Sequence, residues 1–229
     1  MSPVSYILRL FIYKLQHTIF KFLLPNPNLL LEESTLPPDP LIQFEHWYKT
    51  AQKTPGILIP ESVCLSTVGQ DGKPDSRIVL LKDFSQKGFV FYTNYNSQKG
   101  KALLENPYTA LTFYWEPLHA QVRIKGKAEK VTDSEADAYF KTRPRQSKLA
   151  AWASLQSEKL ESRELLEKRF LEAERKFQER EITRPSHWSG FRVIPTHIEF
   201  WLNRDFRMHD RILYEKQSDG NWTFSRLYP

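Results

Sequence analysis

One cysteine, Cys64, occurs in the 229 residues. A single thiol excludes an intrachain disulfide and argues for a reducing compartment. It sits in the apolar run Val63-Cys64-Leu65, which reads as a buried structural thiol rather than a reactive one. Acidic residues are absent from residues 1–31, where Arg9, Lys14 and Lys21 are basic. Charged and polar residues there interrupt any apolar span long enough to cross a bilayer. A clean apolar region followed by a small-residue cleavage site is also missing, which argues against a secretory signal. No RNA- or DNA-binding signature is visible either.

What is there describes a globular domain. Hydrophobic residues make up 40% and charged residues 26% of the chain, values unlike those of a disordered protein. A chain of this length suits one domain with a substantial core. Fifteen Phe, ten Tyr and six Trp supply flat surfaces for that core or for a ring-shaped ligand. The net charge of +6 favours anionic partners: phosphorylated small molecules, nucleic acid or a membrane surface. With 27 acidic residues present, the excess is weak support for nucleic acid.

Between Pro3 and Pro25, Leu8, Phe11, Ile12, Leu15, Ile19 and Phe22 recur at helical spacing and form one apolar stripe. Such a basic amphipathic segment suits an organelle-targeting peptide, a membrane-surface helix or a helix packed on its own domain; the last is favoured, since apolar stripes usually pack into cores. Residues 25–40 hold five prolines and read as an extended linker. Asp39 then caps a helix over 41–53. Strand patterns follow at Ser62–Val68, Arg77–Lys82, Phe89–Thr93, Thr109–Trp115 and Gln121–Val131, with three more strands after Ile198. A short helix runs from Ser97 to Leu104, a capping box at Thr132 and Glu135 opens another that Pro144 closes, and a charged surface helix covers 158–181. Strands that neighbour in sequence imply an antiparallel barrel or sandwich: mainly β, with peripheral helices.

Three clusters carry candidate chemistry. The stretch Arg77–Lys101 reads as a β-hairpin running into a helix N-terminus, and it gathers Arg77, Lys82, Tyr92, Thr93, Ser97 and Lys99 at strand ends. Exposed N–H groups and cations suit a phosphate there, although no Gly-rich motif of fixed spacing marks it; the alternative is a sheet edge with solvated cations. Tyr139 and Arg143 lie four apart on one helix face, and Ser147 begins the next helix. Together they make either a compact phosphate pocket or a solvated helix end. Arg207, His209 and Arg211 alternate, so in a strand they share a face that an anion or an electron-rich ring would stabilise; an edge strand blunted by charge is the alternative.

The runs Arg77-Ile-Val-Leu-Leu-Lys82, Phe91-Tyr-Thr-Asn94, Tyr139-Phe-x-x-Arg-Pro-Arg-x-Ser147, Ala151-Trp152, Gln156-Ser157, Ile198-Glu-Phe-Trp201, Arg207-x-His-Asp-Arg211 and Arg226-Leu-Tyr-Pro229 resemble, in order and spacing, the pyridoxamine/pyridoxine 5′-phosphate oxidase family. The resemblance spans residues 36–229. It implies a split β-barrel that binds flavin mononucleotide (FMN) between the subunits of a homodimer, in a cytoplasmic protein unless residues 1–31 direct it to an organelle. The chain is read as a basic amphipathic N-terminal extension, 1–31, which the resemblance does not explain, and an FMN-binding split-barrel oxidase domain, 32–229. The implied reaction is oxidation of pyridoxamine 5′-phosphate and pyridoxine 5′-phosphate to pyridoxal 5′-phosphate, with O2 as acceptor and H2O2 as product. Carried over by position, Arg77, Lys82, Tyr92, Thr93, Lys99, Gln121, Gln156, Ser157, Trp201 and Arg211 would hold FMN. Lys82, Tyr139, Arg143 and Ser147 would take the substrate phosphate, and Arg207 and His209 would cover the pyridine ring as the catalytic pair. Two positions depart from the family pattern. Gln98 stands where the family has Arg, and Leu29-Leu-Leu-Glu-Glu33 replaces a basic, tyrosine-containing segment, so no site residue is carried over from there. A split-barrel protein that carries FMN or pyridoxal phosphate without turnover is the alternative function. A basic protein tethered to a membrane by residues 4–24 is a third.

Overall fold

The computed structural model describes residue 29 and residues 31–178 and 180–229. The amphipathic segment expected within residues 3–25 lies outside them. Residues 31–39 form no helix or strand, as an extended linker would, yet Leu29 and Leu31 are buried in the main core.

Helix α1 (Pro40–Lys53) starts where the Asp39 carboxylate accepts the Leu41 N–H at 2.9 Å. Pro40 occupies a first-turn position where a missing N–H costs nothing. Its buried face, Leu41, Phe44, Trp47 and Ala51, packs into the core of a nine-stranded antiparallel sheet. Phe44 meets Phe84 and Phe89 edge to face at 4.9 and 5.0 Å, the arrangement ring quadrupoles favour.

The strands are β1 (Ser62–Val68), β2 (Pro74–Leu80), β3 (Asp83–Ser85), β4 (Gly88–Asn94), β5 (Tyr108–Trp115), β6 (Ala120–Lys130), β7 (Trp188–Leu202), β8 (Asp210–Lys216) and β9 (Trp222–Arg226). Their order is β2-β1-β5-β6-β7-β4-β3, with β8 on β7 and β9 on β8. The mainly β, antiparallel architecture is the expected one. One hairpin is not. Residues 74–80 pair with β1 across the Gly72 turn, and Asp83–Ser85, not Arg77–Lys82, is the partner of β4. The chain changes partner because Leu81 turns into the core, and the Lys82 N–H then reaches Val90 O at 2.8 Å. The curled sheet thus nearly meets itself there.

Strand β7 is fifteen residues long, and one edge is paired with β6 over residues 191–202. Its other edge is divided: residues 188–193 pair with β4, and residues 197–202 pair with β8. Between them lies Pro195, which has no N–H to donate, beside a register shift at Lys125/Gly126.

Helices α2 (Gln98–Glu105), α3 (Asp133–Thr142), α4 (Arg145–Ala153) and α5 (Arg163–Phe177) complete the chain. Strand β4 is buried on both faces: Phe89 and Phe91 belong to the main core, while Val90 packs with Val131 and Ala136 of the helical side. The capping box of α3 forms as expected, and its Glu135 also takes Arg192 of β7 at 2.6 Å. The Arg192 guanidinium, with the Thr132 N–H and hydroxyl, lowers the Glu135 carboxyl from 4.5 to about 2.

Two predictions follow from these joints. A Cβ on Gly126 would lie 2.1 Å from Ile194 O, so Gly126→Ala should lower stability by about 1–3 kcal/mol in denaturant unfolding; an unchanged midpoint would mean that the bulge can open. Because the folded pKa of Glu135 is depressed, its contribution is present above pH ~4.5 and is lost as pH falls towards ~2. Its side chain is 36% exposed, and solvent screening limits the contribution to about 1 kcal/mol. Glu135→Gln should therefore be less stable than the parent at pH 7 and nearly equal to it near pH 2; a gap of constant size across that range would overturn the assignment.

Candidate functional site

A cavity of about 630 Å³ opens between the outer face of β4 and the helical layer. Strand β4 supplies Tyr92 and Thr93. At its end Ser97 caps α2: its hydroxyl donates to Asn94 O at 2.6 Å and accepts the Gly100 N–H at 3.2 Å. That turn delivers Lys99. The segment after β2 contributes Lys82. From the opposite side come Tyr139 of α3, Ser147 of α4 and, between them, Arg143. The expected convergence of Tyr139, Arg143 and Ser147 is present, with one correction. Arg143 is not on the α3 face; it is the C-cap, extended at φ −70° and ψ 145°, because Pro144 disfavours helical backbone in the residue before it.

Among the described residues, three cations line the cavity (Lys82, Lys99 and Arg143) and no carboxylate does. Burial, and then the charge of Arg77, push the Lys99 ammonium below its usual range. Burial likewise lowers Arg143, whose Nη1 is buried without a hydrogen-bond partner. Burial raises the phenols of Tyr139 and Tyr92, the latter with help from the Glu135 charge. Desolvated cations with no counter-charge are costly, and an anion relieves that cost. Gln156 Oε1 accepts from both Thr93 Oγ1 (3.3 Å) and Lys99 Nζ (3.2 Å), so these three are already tied together. Arg77 lies just outside, donating to Thr67 Oγ1 at 2.7 Å and paired with Asp75. Ser157 follows Gln156 in an exposed turn at φ 75°.

Trp188 is a lining residue that sequence reasoning missed. Its ring is parallel to Tyr92 at 5.4 Å, Tyr92 stacks on Tyr139 at 4.0 Å, and the Arg143 guanidinium sits 4.6 Å above Trp188. No spacing links positions 92, 139 and 188; only the β4–β7 pairing and the α3 crossover bring them together.

The remaining candidates form a second group. Gln121 pairs with Trp201, and Trp201 with Arg211. The expected three-residue strand face is corrected: Arg207 ends a 3-10 turn at φ 62°, and β8 begins only at Asp210. The turn is set by Arg204, which binds Asp210 at 2.6 Å and gives its N–H to His209 Nδ1 at 3.2 Å. His209 nonetheless lies against the Trp201 ring at 4.7 Å. Glu199 holds Arg211 at 2.9 Å and Arg123 at 3.0 Å. On the same loop Phe206 is 95% and Met208 69% exposed. At about 3.3 Å per residue, ~40 Å of β7 separates Trp201 from Trp188 at the cavity. The candidates therefore fall into two separate groups on one chain.

The lining fits a phosphorylated cofactor or substrate: an orphaned guanidinium N–H, two ammonium groups, hydroxyl donors and flat aromatic walls in a volume usual for small-molecule sites. Among the described residues no cluster of His, Cys, Asp or Glu suits a metal, and no helix is long and apolar enough to cross a membrane.

Comparison with known proteins agrees. Residues 56–177 match the family model described as pyridoxamine 5′-phosphate oxidase, and residues 188–229 match one described as the pyridoxine 5′-phosphate oxidase C-terminal dimerisation region. The second match holds every residue of the distant group except Gln121 and Arg123, and it supports a homodimer. The pyridoxine/pyridoxamine 5′-phosphate oxidase of Nostoc punctiforme is 52% identical over 200 residues, 87% of this chain and 92% of that one. Its namesake from Myxococcus xanthus is 49% identical over 200 residues, 87% of this chain and 96% of that one. Among solved structures, PhzG from Burkholderia lata in complex with tetrahydrophenazine-1-carboxylic acid matches with a TM-score of 0.82 at 28% identity, covering 87% of this chain and 97% of that one. A pyridoxamine 5′-phosphate oxidase-related, FMN binding protein from Nostoc punctiforme shares the fold at a TM-score of 0.66 and 15% identity, covering 85% of this chain and all of that one. The chain belongs to the pyridoxamine 5′-phosphate oxidase family.

Proposed function

We propose that this protein oxidises pyridoxamine 5′-phosphate and pyridoxine 5′-phosphate to pyridoxal 5′-phosphate in the cytoplasm, using FMN and O2 and releasing H2O2. The observation that carries it is the buried Arg143 Nη1 without a partner, in a cavity with three cations and no carboxylate among its described lining residues. The relatives' names supply the substrate class, and the chemistry of the cavity suits it.

Bound FMN would accept a hydride from the substrate carbon bearing the amine or hydroxyl and pass two electrons to O2. Every other task falls to the chain. Arg77, Lys82, Tyr92, Thr93, Lys99, Gln156 and Ser157 hold the cofactor's phosphate and ribityl chain. Lys82, Tyr139, Arg143 and Ser147 grip the substrate phosphate, and anchoring that remote group positions the reacting carbon. Gln121, Trp201 and Arg211 come from the other subunit, as do Arg207 and His209, whose exposed loop closes over the cavity and excludes water. Arg207 stabilises developing charge on the ring. His209 has Nδ1 engaged by the Arg204 N–H, so its Nε2 is the nitrogen left to hydrogen-bond a ring substituent.

The decisive experiment is anaerobic addition of pyridoxamine 5′-phosphate to the FMN-loaded protein. The expected result is bleaching of the flavin spectrum, and recovery in air with pyridoxal 5′-phosphate and H2O2 formed. A yellow protein that never bleaches would make it a carrier instead. Arg207→Leu should lower turnover by about 10²-fold with FMN occupancy unchanged; undiminished turnover would remove Arg207 from the chemistry.

A further inference from the structure

Arg184 lies in the segment between α5 and β7, in neither helix nor strand, with its side chain only 10% exposed. Its guanidinium uses all three nitrogens. Nη2 donates to Asp133 at 2.7 Å, Nε to Asp137 at 2.6 Å, and Nη1 to the main-chain oxygen of Trp188 at 2.9 Å. Asp133 and Asp137 are one turn apart on α3, so the fork grips that helix at two heights on one face. The third bond ties the same fork to the first residue of β7. That residue carries Arg143 over its ring, and the downstream end of α3 carries Tyr139 and leads into Arg143. One guanidinium thus ties both walls of the anion-binding face together, beside the separate Arg192–Glu135 link between β7 and α3. Lysine, a single point charge, cannot span three acceptors in this geometry.

We propose that Arg184 is a positioning residue for phosphate recognition: by locking α3 to the start of β7 it sets the spacing of Tyr139, Arg143 and Trp188. The inference rests on the reading of that face as the substrate-phosphate site. A purely stabilising role fits poorly. Asp133 is 89% and Asp137 52% exposed, and pairs with such exposed acids contribute little to global stability. What the joint fixes is the rotation and height of α3 against Trp188.

The test compares three FMN-loaded variants with the parent: Asp133→Asn combined with Asp137→Asn, Arg184→Met, and Arg143→Ala as reference. KM and kcat are measured with pyridoxamine 5′-phosphate, and the Kd of pyridoxal 5′-phosphate by fluorescence quenching. The paired aspartate variant should raise KM and Kd about ten-fold, with kcat changed by less than about two-fold and with Tm and FMN content at parental values. Arg184→Met should go further in the same direction. Should Arg184→Met fail to fold, the aspartate variant decides, because its substitutions lie at the surface. If Arg143→Ala leaves KM and Kd at parental values, the phosphate reading itself fails. If Arg143→Ala raises them and the aspartate variant does not, or if kcat falls as far as KM rises, the positioning role of Arg184 is overturned.

Discussion

A β-strand has two edges, and β7 has to serve three partners. β6 takes one edge over residues 191–202, so β4 and β8 share the other. The changeover falls at Pro195, where no N–H is available, and the extra residue of the bulge is taken up opposite Gly126, the only residue type small enough for that approach. The placement of the two candidate groups follows from this division. The β4 half carries Trp188 and, through Arg192 and Arg184, orients α3 above the cavity. The β8 half carries Trp201 and the turn with Arg207 and His209. The two candidate groups therefore stand apart in one chain, and the match to a C-terminal dimerisation region covers the β8 half.

The cavity illustrates an opposition between folding and binding. Lys99 and Arg143 are held partly out of water, and burial disfavours their charged forms; the Asp75 charge offsets this only in part at Lys99. Several arginines elsewhere are paired: Arg184 with Asp133 and Asp137, Arg192 with Glu135, Arg211 and Arg123 with Glu199. Lys82, Lys99 and Arg143 line one cavity, while Arg184 and Arg192 hold α3 along its wall. Arg143 is supported by the face of Trp188 instead of a carboxylate. A ring face places a guanidinium without cancelling its charge.

Much of the fold was legible in short-range pattern. The Asp39 and Ser97 caps, the Thr132–Glu135 capping box and the alternation of β5 and β6 depend on residues within a few positions of each other, where local hydrogen bonds and side-chain period govern. The errors arose where local pattern left the partner open. Arg77–Lys82 reads as a strand and is one for most of its length, but its partner is β1 and not β4, since pairing is settled by where Leu81 finds the core. The alternation of Arg207, His209 and Arg211 has the period of a strand, but the Arg204–Asp210 pair closes a turn there. Trp188 gave no signal at all, because its partners are remote in the chain.

By itself, then, the sequence determined the mainly β class, most element positions, the basic character of the ligand site and, through an ordered set of short motifs, the family. These properties reside in residue type and near-neighbour spacing, which survive in one dimension. Tertiary structure alone decided that the candidates split into two groups at opposite ends of β7, that Trp188 completes the aromatic wall, and that Arg184 and Arg192 hold α3 in place. Those facts depend on which strand edge is free and which side chain reaches across a fold, and both are fixed only when the whole sheet closes on its core.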